Sequence, residues 1–292
     1  MQVSEAPVAG LVLVDKPAGI SSFSAIARLR PAYGRKLGHT GTLDPFATGL
    51  LVVLHGRATR LAPYLGGLDK RYRATVQFGV TSTTDDPEGE LASTGGTTDL
   101  AALTAALPAF RGTLTQVPPA ASAVHIDGER AYRRFRRGES VTVPARQVNV
   151  HELTLMHFDP ATQTAELDVA CGPGTYIRSI ARDLGEALGT GAHLTALRRT
   201  EVGDFHVEAA ALPDAIGEAP PGTLAWAPPL TAVPTLPQHA LSPTERTAIG
   251  YGQRIPETAL TGEVALLADG VLVGIGFGDG AEIAPRLVLE PA

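Results

Sequence analysis

Residues 38–49, GHTGTLDPFATG, place one carboxylate, Asp44, and one imidazole, His39, among three glycines. Glycine allows a ligand to approach the backbone closely and permits unusual backbone angles, so Asp44 is a candidate for chemistry on a bound molecule. Read alone, Leu-Asp-Pro is also good turn chemistry, and an aspartate before proline is commonly structural. Other candidates are scattered. Asp85 and Asp86 are paired acids, while Lys16 and the run Arg130–Arg137 supply cations. The eight histidines form no ligand pattern: His151-Glu152 lacks the second helical histidine of a zinc-protease motif, and Cys171 alone builds neither a zinc site nor a disulfide framework. Neither glycine-rich nucleotide-binding signature occurs, so we expect no cofactor and no metal.

Elements must hold these groups. LVLV at 11–14 reads as a buried strand ended by the turn Asp15–Gly19, and Ser21 or Ser22 can cap a helix that stops before Pro31. LLVVL at 50–54 is a second strand. RYRATVQFGV alternates, which puts Tyr72, Ala74, Val76, Phe78 and Val80 on one face. Residues 81–98 are polar and 99–110 helical with Asp99 as cap, so 81–120 reads as an insertion able to form a mobile flap. A basic helix is expected at 129–138, strands at 148–158 and 163–171, and a helix over TYIRSIARDLGEALG with Ile177, Ile180, Ala181, Leu184 and Leu188 on one face and Arg178 on another. The proline-rich stretch 216–238 reads as a linker. Beyond it a short helix, a hairpin around Asp269-Gly270 and a last strand, PRLVLE, make a compact β module.

The net charge of −6 hides an uneven distribution. Between Arg28 and Arg73 nine Lys or Arg face two acids, whereas residues 231–292 hold seven acids against three basic residues. Phosphate binding depends on local basic surface, so nucleic acid stays open as a partner. The N-terminus lacks a basic region followed by an apolar core, and no 18-residue apolar run occurs. With one cysteine, the expectation is a cytoplasmic protein without a membrane partner.

The segment from Gly38 to Leu51 resembles the signature G-H-x-G-T-L-D-P-x-A-x-G-L-L of the bacterial tRNA pseudouridine-55 synthases, the TruB-type family, at every fixed place. The likeness continues in order through DKPAGISS at 15–22, KRY at 70–72, STTDDPEG at 82–89, GERAY at 128–132, GTYIRSIARDLG at 174–185 and GAHLTALRRT at 191–200. The resemblance implies conversion of uridine 55 in the TΨC loop of tRNA to pseudouridine, without a cofactor, by base flipping and a covalent intermediate on Asp44. It makes Arg178 the cation that offsets the cost of burying Asp44. Tyr72, Tyr176 and Leu197 become walls of the uracil pocket, His39 the residue filling space left by extruded bases, and Asp86 an acid that shapes the site. Lys16, Arg130, Arg133 and Arg137 are then expected on phosphates. One departure stands out: Ala121–His125 lacks the tyrosine and lysine of the family's Tyr-Ser-Ala-x-Lys run.

The implied fold is α+β, with a mixed, largely antiparallel central sheet in a catalytic domain over 1–232. A small PUA-like β-barrel follows over 235–292, although its net charge of −4 suits RNA poorly. The chain is expected to work as a monomer on the tRNA TΨC stem-loop, needing no guide RNA or protein partner. Two alternatives stay open: a non-catalytic tRNA-folding chaperone, and a related synthase acting on another RNA.

Overall fold

A computed structural model describes residues 9–122, 124–126, 128–256 and 259–289. Residues 1–8 and 290–292 of the two expected domains, and Ala123 of the Ala121–His125 run, lie outside them. The central sheet is built on β1 (Ala9–Lys16), β2 (Thr48–Gly56), β3 (Lys70–Phe78), β4 (Gly112–Gln116), β5 (Arg146–Asp159), β6 (Thr164–Cys171), β7 (Ala192–Val202) and β8 (Trp226–Ala227), in the order β8-β1-β2-β7-β3-β6-β5-β4. Neighbours on this path pair antiparallel, except that β2 and β7 run parallel, with Arg198 opposite Thr48 and Arg199 opposite Gly49. The sheet is thus two antiparallel halves joined at one parallel seam. The seam is tight: at Gly49, with φ near +100°, an added Cβ would fall 2.2 Å from the Arg199 carbonyl oxygen.

The two halves bury their apolar residues differently. β1 and β2 are covered on both faces, so their sequences read as continuous apolar runs. Leu11, Leu13, Leu50, Val52 and Leu54 enter one core, while Val12, Val14, Leu51 and Val53 pack on the other side with Ala25, Ile26 and Leu29. β3 alternates as expected, and Tyr72, Ala74, Val76 and Phe78 pack with Ile177, Ile180, Ala181 and Leu184 of the helix Ile177–Ala187. Val80 leaves that face. Gly79, at φ +77° and pressed against the Gly96 carbonyl, ends the strand and starts a short hairpin, Val80–Ser82 with Leu91–Ser93.

Several other elements differ from expectation. Pro31 does not stop the first helix; it sits in the first turn of a second one, Arg30–Tyr33, where its missing N–H costs nothing. The segment 81–120 is integrated rather than hung on the domain as a flap, because Leu103 and Leu107 join the main core and β4 is the edge strand beside β5. The basic helix is only Ala131–Arg136; Arg130 belongs to a two-residue pairing with His125–Ile126. The expected linker supplies β8, which pairs with β1, and its Ala227, Ala232 and Val233 are buried in the same core as Leu11 and Leu50.

That core continues into the C-terminal part through Ala265, Leu267, Leu272 and Ile275. There, five strands run in the order Gln238–Ala240, Thr261–Ala268, Val271–Asp279, Glu282–Val288 and Ile255–Pro256. They form an open half-barrel instead of a closed barrel. Asp269 (φ +50°) and Gly270 (φ +77°) make its hairpin turn as read. Polar ties from the first part reinforce the packing: the Tyr64 hydroxyl lies 2.9 Å from Glu263 Oε1, and Arg60 donates to the Val288 carbonyl at 2.9 Å.

The seam predicts a sharp sensitivity. Gly49→Ala should cost about 3 kcal/mol or more in denaturant unfolding, from left-handed strain plus a backbone clash. Gly95→Ala, with positive φ but open space around it, should cost about 1 kcal/mol. Equal losses would mean the seam is not tight.

Candidate active site

Asp44 lies in the loop that enters β2 at the seam, and the motif at 15–22 holds that loop from behind. Ser22, buried at the start of its helix, accepts from the Leu43 N–H at 2.9 Å and donates to the Leu43 carbonyl at 3.0 Å. On the other side of Asp44, the Pro45 carbonyl accepts from the Gly19 N–H at 2.9 Å and from Lys16 Nζ at 3.1 Å. Lys16 also donates to the carbonyls of Pro17 and Ile20, at 2.8 Å each. The Ala47 N–H closes the turn on the Asp44 carbonyl at 3.1 Å. Both neighbours of Asp44 are therefore fixed in place.

In front of the loop stands Arg178, on the first turn of the helix Ile177–Ala187. Its side chain is 3% exposed, and its Nε lies 3.1 Å from Asp44 Oδ2, an ion pair by distance without hydrogen-bond alignment. Nη1 donates to Asp86 Oδ2 at 2.7 Å and to the Thr84 carbonyl at 2.9 Å, while Nη2 donates to the Ala121 carbonyl at 2.9 Å and reaches Asp44 Oδ1 at 3.4 Å. Asp86 is equally buried, and its Oδ1 accepts from the Thr84 hydroxyl at 2.5 Å and the Glu88 N–H at 3.0 Å. Asp44 differs: 35% of its side chain is exposed. The guanidinium is sealed and pre-aimed, and the carboxylate beside it is open.

Asp44 faces a cavity of about 330 Å³, lined among others by Lys70, Tyr72, Arg146, Tyr176, Arg178, Leu197 and Arg199. Burial pushes the Asp44 carboxyl above its usual range; Arg178 opposes this, Asp86 adds to it, and Lys16 again opposes it. The opposing cation thus limits the rise without cancelling it. Tyr176 caps the helix and is bracketed by Gln116, whose Oε1 accepts from its N–H at 2.8 Å and whose Nε2 donates to its carbonyl at 3.0 Å. The Arg146 guanidinium stacks on its ring, 4.9 Å from the centroid, and bonds the Gly174 carbonyl.

The structure brings together Asp44, Arg178, Tyr72, Tyr176 and Leu197 as the sequence suggested, and it places Asp86 behind Arg178. It corrects Lys16. A fully buried ammonium whose three hydrogens go to carbonyls is a brace and has no donor left for phosphate. Burial, opposed by Asp44, lowers its pKa to about 8. Arg137 also differs from a waiting phosphate contact: Glu129 grips it with two bonds of 2.6 and 2.8 Å, and Glu139 takes a third at 2.7 Å. Arg130 and Arg133 are in or beside the short helix, and the Arg133 Nε lies 3.4 Å from the Tyr132 hydroxyl. His39 pairs with Val53 on a short strand and is not among the cavity-lining residues. Burial and the charges of Arg199 and Arg130 lower its pKa, leaving the imidazole neutral at pH 7.

Sequence reasoning missed Arg146, Lys70 and Arg199 as cavity residues. Arg199 had a readable signal, because it follows Leu197 by two positions on a strand and so shares its face.

Residues 30–177 match the family described as TruB family pseudouridylate synthase (N terminal domain), and residues 178–216 match the tRNA pseudouridylate synthase B C-terminal domain. The chain belongs to the TruB family of pseudouridylate synthases. It is 44% identical over 288 residues to the tRNA pseudouridine synthase B of Parasynechococcus marenigrum (strain WH8102), covering 96% of this chain and 97% of that one. Identity to the protein of the same name from Thermobifida fusca (strain YX) is 45% over 290 residues, covering 96% and 98%. Among solved structures it is similar in fold to a chain of a Cbf5-Nop10-Gar1 complex, with a TM-score of 0.70, 23% identity, and 97% and 85% coverage. An archaeal box H/ACA sRNP Nop10-Cbf5 complex gives a TM-score of 0.71 at 22% identity, covering 100% and 89%.

Two outcomes follow from the site. If Asp44 must be ionised to react, kcat/KM should fall as pH drops through a midpoint above the usual carboxylate value of about 4. A pH profile with its acid midpoint at or below that value would contradict the geometry. Lys16→Met should lower thermal stability and turnover while leaving the salt dependence of RNA binding unchanged. A slope reduced by about one phosphate contact would restore Lys16 to the RNA surface.

Proposed function

We propose that this chain isomerises uridine 55 in the TΨC loop of tRNA to pseudouridine, as a stand-alone enzyme without a guide RNA or protein partner. The observation that carries this reading is the open Asp44 carboxylate held against the sealed Arg178 guanidinium, in a cavity walled by Tyr72, Tyr176 and Leu197. Such a cavity suits one extruded pyrimidine: aromatic and apolar walls take the ring by stacking, and cations take the oxygens and the backbone. The target must leave the folded loop to enter it.

The chemistry needs no redox change. The C1′–N1 bond breaks, the uracil turns, and C5 bonds to C1′; the C5 proton leaves while N1 gains one. Asp44 supplies the nucleophile and becomes covalently attached to the substrate on the way. Arg178 keeps the carboxylate ionised enough to attack, and its three other acceptors hold it still during the turn of the base. The relatives' shared name, tRNA pseudouridine synthase B, supports tRNA as the substrate class.

The test uses an unmodified tRNA transcript with no added cofactor. The wild type should form pseudouridine at position 55, and Asp44→Asn should lose at least about 10⁴-fold in rate while binding tRNA within about threefold of wild type. An inactive wild type that still binds and refolds tRNA would favour the chaperone reading. Pseudouridine at another position, or only in another RNA, would favour a synthase of different target.

A further inference from the structure

Arg178 and Arg182 stand one turn apart on the helix Ile177–Ala187, so their side chains leave the same face. Both reach the same two segments. Arg178 donates to the Asp86 carboxylate at 2.7 Å and to the Ala121 carbonyl at 2.9 Å. Arg182 repeats the pattern one turn on: Nη1 donates to Asp85 Oδ2 and Nη2 to the Val117 carbonyl, each at 2.9 Å. Two guanidinium rungs thus tie the turn at 82–86 to the segment 117–121. Ser179 adds its hydroxyl to the Val117 carbonyl at 2.9 Å, and Asp183 accepts from Arg182 Nε at 2.8 Å. The first rung pairs with Asp44. The second stands apart from the chemistry, since neither Asp85 nor Arg182 is among the residues lining the Asp44 cavity.

The second rung requires an unusual backbone. Consecutive side chains of an extended chain point opposite ways, yet Asp85 and Asp86 both turn to this helix. Asp85 does so at φ +61°, in the left-handed region, where side chains are uncommon and Asp and Asn are the usual exceptions. Its N–H donates to the Ser82 carbonyl at 3.2 Å, and its carbonyl accepts from the Leu194 N–H of β7 at 3.1 Å. Its carboxylate is 13% exposed; burial pushes its pKa up, and Arg182 and then Arg178 oppose the rise. A left-handed aspartate held this firmly behind an active-site cation calls for a role. One grip leaves the arginine-bearing face free to rock on its apolar packing. A second grip, one turn on, stops the rocking.

We infer that Asp85 and Arg182 are positioning residues: their rung fixes the rotation of the helix and, through it, the place of the Arg178 guanidinium against Asp44. Both act through Arg178 and not on the ligand. Their effect on turnover rests on the proposed function; their hold on Arg178 does not.

Asp85→Ala removes the carboxylate and penalises the left-handed turn, whereas Asp85→Asn keeps the turn and an acceptor oxygen. On the tRNA transcript, Asp85→Ala should lower kcat about 30-fold with tRNA affinity within about threefold of wild type, and Asp85→Asn should recover kcat to within about fivefold. Arg182→Met should match Asp85→Ala, and the two together should cost less than about threefold beyond either alone. A carbon-13 NMR titration of the Asp44 carboxyl supplies a readout that a merely structural role would not move. On charge alone, neutralising a nearby acid lowers the Asp44 midpoint, whereas a displaced Arg178 raises it; a rise is expected in Asp85→Ala. A folded Asp85→Ala of lower thermal stability but wild-type kcat, a loss of kcat with an unchanged or lowered Asp44 midpoint, or an Asp85→Asn no better than Asp85→Ala would overturn the inference. If Asp85→Ala does not fold, Arg182→Lys, which keeps the charge without the fork, takes its place. A loss of about tenfold in kcat with a raised Asp44 midpoint then supports the inference, and wild-type values overturn it. If the wild type makes no pseudouridine in tRNA, the proposed function fails, and the Asp44 titration still decides the role of the rung.

Discussion

The site depends on a guanidinium that cannot give up its proton and cannot reach water. Arg178 is sealed in the protein, so its charge must be answered by what surrounds it. Asp86 and two backbone carbonyls answer most of it and hold the fork before any substrate arrives. One side of the cation is left for Asp44. Burial raises Asp44 above an ordinary carboxyl; Arg178 opposes the rise, and Asp86, the second carboxylate on that cation, adds to it. The arrangement keeps a buried carboxylate usable as a nucleophile without binding it so tightly that it becomes inert.

Everything else in the fold serves to keep that carboxylate at a fixed place. The helix bearing Arg178 packs on β3 through its apolar face, and the loop bearing Asp44 enters β2 where the two halves of the sheet meet. Because the two groups come from different halves, the seam sets their separation. Gly49 lets the backbones touch there, and Lys16 with Ser22 pins the loop from behind. The half-barrel is not a passenger, since its Leu272 and Ile275 lie in the core that also holds Leu50 and Val52 of β2.

Much of this was legible in the sequence. The signature around Asp44, through its family resemblance, and the alternation along β3 and the amphipathic helix after Tyr176, through the period that puts side chains on one face, singled out residues that the structure gathers around one cavity. The rest was hidden for physical reasons. Lys16 beside a proline turn looks like surface, and its partners are backbone carbonyls that no side-chain pattern reveals. The proline-rich stretch before the half-barrel looks like a linker, yet Ala227, Ala232 and Val233 are short apolar residues that fill a shared core. The phosphate contact expected at Arg137 likewise left out its pairing with Glu129 and Glu139, which the folded segment brings onto it. Tertiary partners decide such cases, and a linear sequence does not display them.

The central claim is that Arg178 sets the ionisation of Asp44. The most direct measurement is a carbon-13 NMR titration of the Asp44 carboxyl, assigned against Asp44→Asn, in the wild type and in Arg178→Met. The account predicts a midpoint above the usual carboxylate range in the wild type and a clearly higher one when the cation is removed. Equal midpoints in the two proteins, or a wild-type midpoint below the usual range, would contradict it.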